Sequence, residues 1–238
     1  MRIDYVTLFP EMVMPALQHS IMARAEKGGR VAFGAVNPRD FAQDAHRSVD
    51  APSYGGGPGM VMMPTLIAEA LESLQPHPNA EIILTDPMGE KFTQSVAREL
   101  AEKPQVIFIC GHYEGVDERV RTKLATRALT IGDFVLTGGE LPALVMTDAI
   151  VRLLPDVLGD PESHRDDSHT DGLLGFPLYT KPAEFMGEAV PEVLTSGHHE
   201  KIAQWRRKQQ LVRTREHRPD LFAQSNLSKQ DLKLLDEE

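Results

Sequence analysis

IGDFVLTGGELP, residues 131–142, packs three glycines and a proline around a short apolar run. That mixture makes a poor helix and an unusually long strand-end loop. Gly132, Gly138 and Gly139 permit backbone shapes closed to other residues and let a ligand approach the main chain. Pro142 suits the first turn of a helix, where its missing N–H costs nothing. With 134–136 taken as a short strand, the stretch reads as strand, glycine-rich bend and helix start. Open α/β sheets bind ligands at such places, beyond the carboxyl ends of their strands. A lone GG pair would read first as a connecting turn, but two further glycine-bearing strand ends shift the balance.

The first is GHYEGVDER, 111–119, directly after VIFIC at 106–110. Five consecutive apolar residues, rich in β-branched side chains, read as a buried parallel strand. Gly111 ends it, and Glu114, Asp117 and Glu118 place three carboxylates near the start of a following helix, where acids are also structurally favoured. The second is LTDPMG, 84–89, at the end of an apolar run beginning at Ile82. Three such ends at helix-crossover spacing can converge on one pocket. None matches the dinucleotide fingerprint or the P-loop. The expected ligand therefore carries no phosphate needing a helix N-terminus, which excludes most kinases and simple ATPases.

At 238 residues the chain suits one large domain, or a medium domain with a small companion. Hydrophobic residues at 41% and charged ones at 25% supply a sizeable core. No apolar run reaches membrane-span length and MRIDYVTLFP lacks a signal-peptide pattern, so no membrane partner and a cytoplasmic location are expected. Cys110, the single cysteine, lies inside an apolar run and reads as a core residue. The net charge of −10 argues against nucleic acid, and no DNA partner is expected, yet the charge is unevenly spread. Lys201, Arg206, Arg207, Lys208, Arg213, Arg215 and Arg218 face only Glu216 within 201–218, and Trp205 is embedded among them. This run reads as a phosphate-backbone surface in preference to a merely solvated helix face.

Strands are predicted at 3–8, 31–36, 82–84, 106–110 and 134–136, with helices between them. Leu66, Ile67, Ala70, Leu71 and Leu74 share one face of a helix over 64–74, Thr93 caps another, and 142–154 forms a third. Alternating strands and helices imply a mostly parallel α/β sheet covered on both faces. GDPESHRDDSHTDG, after Leu158, is polar and aperiodic and reads as a linker. Beyond it only helices are expected, about 199–213 and 228–236, the latter opened by a capping box from Ser228 to Asp231. The division is thus 1–159, a linker over 160–172, and a small helical C-terminal domain over 173–238.

YGGGPGM (54–60), GHYEGVDER, IGDFVLTGGELP, DSHTDGLL and PLYTKP, in this order along the chain from LFPEM (8–12) to Trp205, resemble the bacterial tRNA (guanine-N1-)-methyltransferases of the SPOUT class. The resemblance implies a deep trefoil knot in the sheet domain, an exception to ordinary topology rules. It also implies a homodimer, S-adenosylmethionine as methyl donor, tRNA as substrate and a dependence on magnesium. The donor pocket carried over by the motifs is Thr85, Pro87, Gly89, Gly111, Tyr113, Glu114, Gly115, Ile131, Gly132, Phe134, Leu136, Gly138, Gly139 and Pro142. Glu114 is also the candidate magnesium ligand, since hard cations prefer carboxylate oxygens. Arg206, Arg207, Lys208, Arg213 and Arg215 become the RNA-binding set. His112, Phe134, Lys181, Ala51 and Gly175 depart from residues common in the family, which touches RNA contacts around 175–181 more than the reaction.

Methylating guanine at N1 requires removal of that nitrogen's proton and stabilisation of the charge that builds at O6. The donor methyl must also be held in line with N1. Asp167, in RDDSHTDG, matches the family's base, and Asp171 is a second carboxylate of the same motif. An isolated aspartate, with a pKa of about 3.9, is a weak base, and neighbouring Asp166 or burial would raise it. Arg152 matches the catalytic arginine and also stands four residues after Asp148, an intrahelical pairing distance. His164, His169, His198 and His199 lack zinc-type context. The expected activity is methyl transfer to N1 of the guanosine 3′ of the tRNA anticodon, position 37. A non-catalytic RNA-binding module would need neither Asp167 nor Arg152. The third alternative is an enzyme of the same class acting on rRNA or on a ribose hydroxyl, and a ribose hydroxyl calls for different positioning than a ring nitrogen.

Overall fold

The computed structural model describes residues 1–159 and 167–236. The opening of the expected linker, with His164 and Asp166, lies outside the described residues. The chain divides into two compact units, 1–159 and 160–238.

The first unit runs β1 (Arg2–Val6), α1 (Pro10–Leu17), α2 (Ser20–Lys27), β2 (Ala32–Val36), a 3-10 turn at Pro38–Phe41, β3 (Asp50–Pro52), β4 (Met60–Met62) and α3 (Pro64–Ser73). It continues with β5 (Glu81–Lys91), α4 (Gln94–Ala101), β6 (Gln105–Cys110), α5 (Glu118–Lys123), β7 (Arg127–Thr130) and α6 (Glu140–Val151). Five strands form one sheet in the order β2-β1-β6-β5-β7, and every pairing in it is parallel. Strand β6 lies at its centre and is buried at every position. The period-2 alternation of side chains then builds two cores. Ile3, Tyr5, Val106, Phe108 and Cys110 meet α1, α2, α4 and α6 on one face. Val6, Ile107 and Ile109 meet Leu66, Ile67, Ala70 and Leu71 of α3 and Val120 of α5 on the other. The result is a three-layer α/β arrangement, as the alternating pattern predicts.

Two sequence expectations are corrected here. The fifth strand is Arg127–Thr130, not 134–136. Phe134 and Val135 are 53% and 83% exposed, so this apolar run sits in a loop over a cleft instead of in the core. An apolar run signals something to be covered, not whether a sheet or a ligand covers it. The helix that follows starts at Glu140, which leaves Pro142 within its first turn. Thr93 caps α4 as read, its hydroxyl accepting from the Val96 amide.

The second unit contains β8 (Glu184–Phe185) and β9 (Glu188–Ala189), then α7 (Glu192–Thr195), α8 (His199–His217), α9 (Pro219–Gln224) and α10 (Lys229–Asp236). The antiparallel β8–β9 hairpin overturns the expectation of helices alone. Met186 and Gly187 both take positive φ, 51° and 82°, which suits a two-residue hairpin turn. Leu173, Leu211 and Leu234 are the buried centre, with Phe222, Leu227 and Leu235 packed around them. The capping box forms: Ser228 Oγ accepts from the Asp231 amide at 3.1 Å, and Asp231 Oδ2 accepts from the Ser228 amide at 2.9 Å.

Candidate active site

Strand β5 does not run straight. Thr85 and Glu90 are both paired with Leu129 of β7, so Asp86, Pro87, Met88 and Gly89 loop out of the ladder between them. Pro87 has no N–H to give to a ladder, and the Asp86 carboxylate accepts from the Met88 amide at 2.7 Å, turning the chain. Gly89 brings it back against β7, where a Cβ would lie 2.6 Å from the Ala128 carbonyl carbon. No other residue fits there without displacing backbone.

A second loop follows β6. It is held by β4, whose Met60 carbonyl accepts from the Glu114 amide at 3.0 Å and whose Met62 amide donates to Gly115 at 3.0 Å. The Asp117 amide returns to Met62 at 3.2 Å. The YGGGPGM and GHYEG motifs therefore form one hydrogen-bonded structure. Tyr113 sits at φ +60° with half its surface exposed, a backbone state that costs a non-glycine residue about 1–2 kcal/mol. Asp117 caps α5, and the Arg119 guanidinium beside it holds its carboxyl down at about 2.

The third loop, 131–139, crosses the ends of β5 and β6. The Gly139 amide donates to the Gly111 carbonyl at 3.0 Å, and a Cβ on Gly139 would meet Thr85 Oγ1 and lie 2.7 Å from Cys110 Cα. The three loops enclose a cleft of about 320 Å³. Thr85, Pro87, Gly111, Tyr113, Glu114, Gly115, Ile131, Phe134, Leu136, Gly138, Gly139 and Pro142 all line it. Gly89 and Gly132 do not: the first abuts β7, and the second is turned by hydrogen bonds with the Thr130 hydroxyl at 2.8 and 3.2 Å.

Asp86, Glu114, Glu118 and Arg121 supply the formal charges of the lining, and the Arg121 guanidinium is already on Asp86 at 2.5 Å. A cleft with this acidic excess and apolar walls favours a cationic ligand with a flat or apolar body over a phosphate ester.

Sequence reasoning missed Glu140. It is 1% exposed, accepts from the Thr7 hydroxyl at 2.5 Å, and pairs with His112 Nε2 at 2.7 Å. His112 also packs edge-on against Phe9, with ring centroids 4.8 Å apart. Locally Glu140 reads as an acid at a helix N-terminus. Its partners come from distant segments, so no local signal announces them.

Arg152 is not brought to this cleft. It caps the C-terminal end of α6, thirteen residues from Gly139, or roughly 20 Å at 1.5 Å per residue. On a 3.6-residue period it shares a face with Leu141, Val145 and Asp148, and those two apolar side chains are 54% and 52% exposed.

In the second unit Asp167 opens a turn, its carbonyl accepting from the Thr170 amide at 3.2 Å. The Asp171 carboxylate accepts from Arg207 Nη1 at 2.5 Å. Of the five basic residues read as RNA-facing, Arg206, Arg213 and Arg215 are exposed and Lys208 is half-buried. Arg207 departs from that reading: it shares the inward side of α8 with buried Leu211 and Thr214 and is bound to Asp171 and Asp231. Arg206 stacks over Phe176, 4.8 Å from its centroid, and Trp205 lies against Tyr179 at 6.3 Å.

Among the described residues no group of three His, Cys, Asp or Glu side chains is placed to hold a metal ion. Glu114 stands against Gly59 instead, with its Cγ where a Cβ on that glycine would be. Among the described residues, the donor set around Glu114 does not fit a magnesium site. Among the described residues no helix is long and apolar enough to cross a membrane.

Residues 1–224 match the family described as tRNA (Guanine-1)-methyltransferase TrmD. Two similar proteins are a tRNA (guanine-N(1)-)-methyltransferase of Staphylococcus epidermidis, 51% identical over 236 residues, and one of Staphylococcus aureus, 52% identical over 236 residues. In both cases the alignment covers 99% of this chain and 96% of the relative.

Proposed function

The chain belongs to the tRNA (guanine-1)-methyltransferase family, and from that premise we propose that it moves a methyl group from S-adenosylmethionine to N1 of guanosine 37 in tRNA. The observation that carries the reading is the acidic, apolar-walled cleft at the ends of β5, β6 and β7, assembled from the family's motifs. When bound, S-adenosylmethionine supplies an electrophilic methyl on a cationic sulfonium. Thr85, Gly111 and Gly139 present backbone and hydroxyl groups at the cleft, Phe134, Leu136 and Pro142 give apolar cover, and Glu114 contributes negative charge for the cationic end. We further infer that the 131–139 loop closes a trefoil knot, which the family resemblance and its crossing over β5 and β6 support.

Asp167 is assigned as the general base for the N1 proton and Arg152 as the stabiliser of charge at O6. No step passes through magnesium. The 1–159 unit is read as donor-binding, 160–172 as the catalytic linker and 173–238 as tRNA-binding, with phosphate contacts from Arg206, Lys208, Arg213 and Arg215. The proposal includes a homodimer, which two features of α6 support. Leu141 and Val145 are apolar yet half exposed, as on a helix whose outer face is covered by a partner. Arg152 continues that face and is too far along the helix to serve the cleft of its own chain, so it is assigned to the partner's. A cytoplasmic location is part of the same proposal, supported by a tRNA substrate.

The test is mass spectrometry of nucleosides from tRNA incubated with the protein and labelled donor. N1-methylguanosine in the anticodon fragment is the expected product. Label on ribose, or on another base, overturns the assignment.

A further inference from the structure

Arg207 stands in the basic run of α8, but its surroundings are those of a clamp. Its Nη1 donates to Asp171 Oδ2 at 2.5 Å, its Nε to Asp231 Oδ1 at 2.6 Å and its Nη2 to Asp231 Oδ2 at 3.2 Å. One guanidinium thus joins the segment just after Asp167 to the C-terminal helix α10. Asp231 is fixed in turn by the Ser228 amide and hydroxyl at 2.9 and 2.8 Å, and its side chain is 7% exposed.

The clamped segment is closed on itself. The His169 amide donates to the Leu173 carbonyl at 2.7 Å, the Gly175 amide to Ser168 Oγ at 2.8 Å and the Leu173 amide to Asp171 Oδ1 at 3.2 Å. The Leu174 amide donates to Thr214 Oγ1 at 2.8 Å, and that hydroxyl donates onward to the Gln210 carbonyl at 2.6 Å. Leu173 is buried with Leu211 and Leu234. Asp171, Leu173 and Leu174 therefore grip α8 three times within four residues, and Asp167 opens the loop they close.

We propose that Arg207 is a positioning residue for Asp167, holding the 167–175 loop on α8 with α10 as its buttress, and is not a tRNA phosphate contact. The proposal rests on the reading of Asp167 as the base. A guanidinium already facing two carboxylates has little charge or donor capacity left for phosphate. A base held out of position loses rate steeply with displacement.

The test compares Arg207→Gln, Arg207→Lys and Asp231→Asn in the full-length protein, with Asp167→Ala and Arg206→Glu as references. Arg207→Gln is expected to lower kcat about tenfold or more, leaving KM for tRNA and the salt dependence of tRNA binding unchanged, with partial rescue in Arg207→Lys. On the Asp167→Ala background the same change is expected to cost nothing further. Amide exchange at Thr170, Leu173 and Leu174 is expected to quicken about tenfold in Arg207→Gln and Asp231→Asn, while α6 is unaffected. An unchanged kcat with weaker tRNA binding and a shallower salt slope would make Arg207 a phosphate contact and overturn the proposal. A kcat loss that adds in full to Asp167→Ala, or unaltered exchange, overturns it equally. Should Asp167→Ala keep the wild-type rate, the base assignment falls, while the exchange data still decide whether Arg207 holds the loop.

Discussion

Gly139 donates its amide to the carbonyl of Gly111 at 3.0 Å, which joins two of the three cleft loops through main chain alone. A methyl at position 139 has nowhere to go, because a Cβ would meet Thr85 Oγ1 and lie 2.7 Å from Cys110 Cα. Overpacking of this kind costs about 1–3 kcal/mol. Gly139→Ala is therefore expected to weaken S-adenosylmethionine binding about tenfold or more, measured by calorimetry. Wild-type donor affinity would mean that the cleft does not hold the donor.

Asp167 lies outside the cleft-forming loops, and its proposed role concerns the proton of guanine. Asp167→Ala is expected to reduce methyl transfer about a hundredfold or more with donor affinity retained. Parallel loss of donor binding would make it a donor-binding residue instead. Asp171 is a weak substitute, because its carboxylate is already bound to Arg207.

The basic residues of α8 are not equivalent. Arg206 and Arg213 are seven residues apart, on one side of the helix, and both are exposed. Reversing both to Glu is expected to weaken tRNA binding and to flatten its log–log salt dependence by about one unit per lost contact. A slope that stays at the wild-type value would assign the pair to an ordinary solvated face.

Assembly is tested by complementation. Asp167→Ala and Gly139→Trp proteins, each inactive, are mixed and allowed to exchange subunits. If each site takes its base and its donor cleft from different chains, heterodimers recover one working site of two. Confirmed exchange without recovery would place both in the same chain.

The Arg207–Asp231 pair carries a pH signature. The Arg207 guanidinium holds Asp231 down from 3.8 to about 2, a difference worth roughly 2 kcal/mol. Because the folded value lies below the unfolded one, the contribution is complete above about pH 4 and is lost as pH falls through 2. The stability advantage of wild type over Asp231→Asn, read by thermal unfolding or α10 amide exchange, is expected to be full at pH 5 and to close by pH 2. A gap that stays constant over that range would mean that another interaction sets the difference.

Much of the sheet domain is legible from local signals. VIFIC is buried throughout because a central parallel strand is covered on both faces, and Thr93 and Ser228 cap helices by bonds to residues three positions on. The strand at 127–130 was hidden because RALT carries an arginine and only four residues, while the stronger apolar run at 134–136 belongs to a loop. Phe134 and Val135 obey the rule that apolar groups seek cover, but the cover is not the core. The inward turn of Arg207 was equally hidden, since its partners lie 36 residues before it and 24 after it. Charge runs show how many cations a helix carries. Which of them are spent inside the fold depends on tertiary partners.

The looped-out residues 86–89 leave and rejoin β5 opposite the same residue of β7. To the sheet they are silent: the ladder counts Thr85 and Glu90 as sharing one partner, whatever lies between. The length and chemistry of that excursion can therefore be redrawn without shifting any strand, provided the returning residue is as small as Gly89. The fold has in effect separated the part that must stay constant from the part that shapes what enters, which makes this segment the natural place to graft a different specificity.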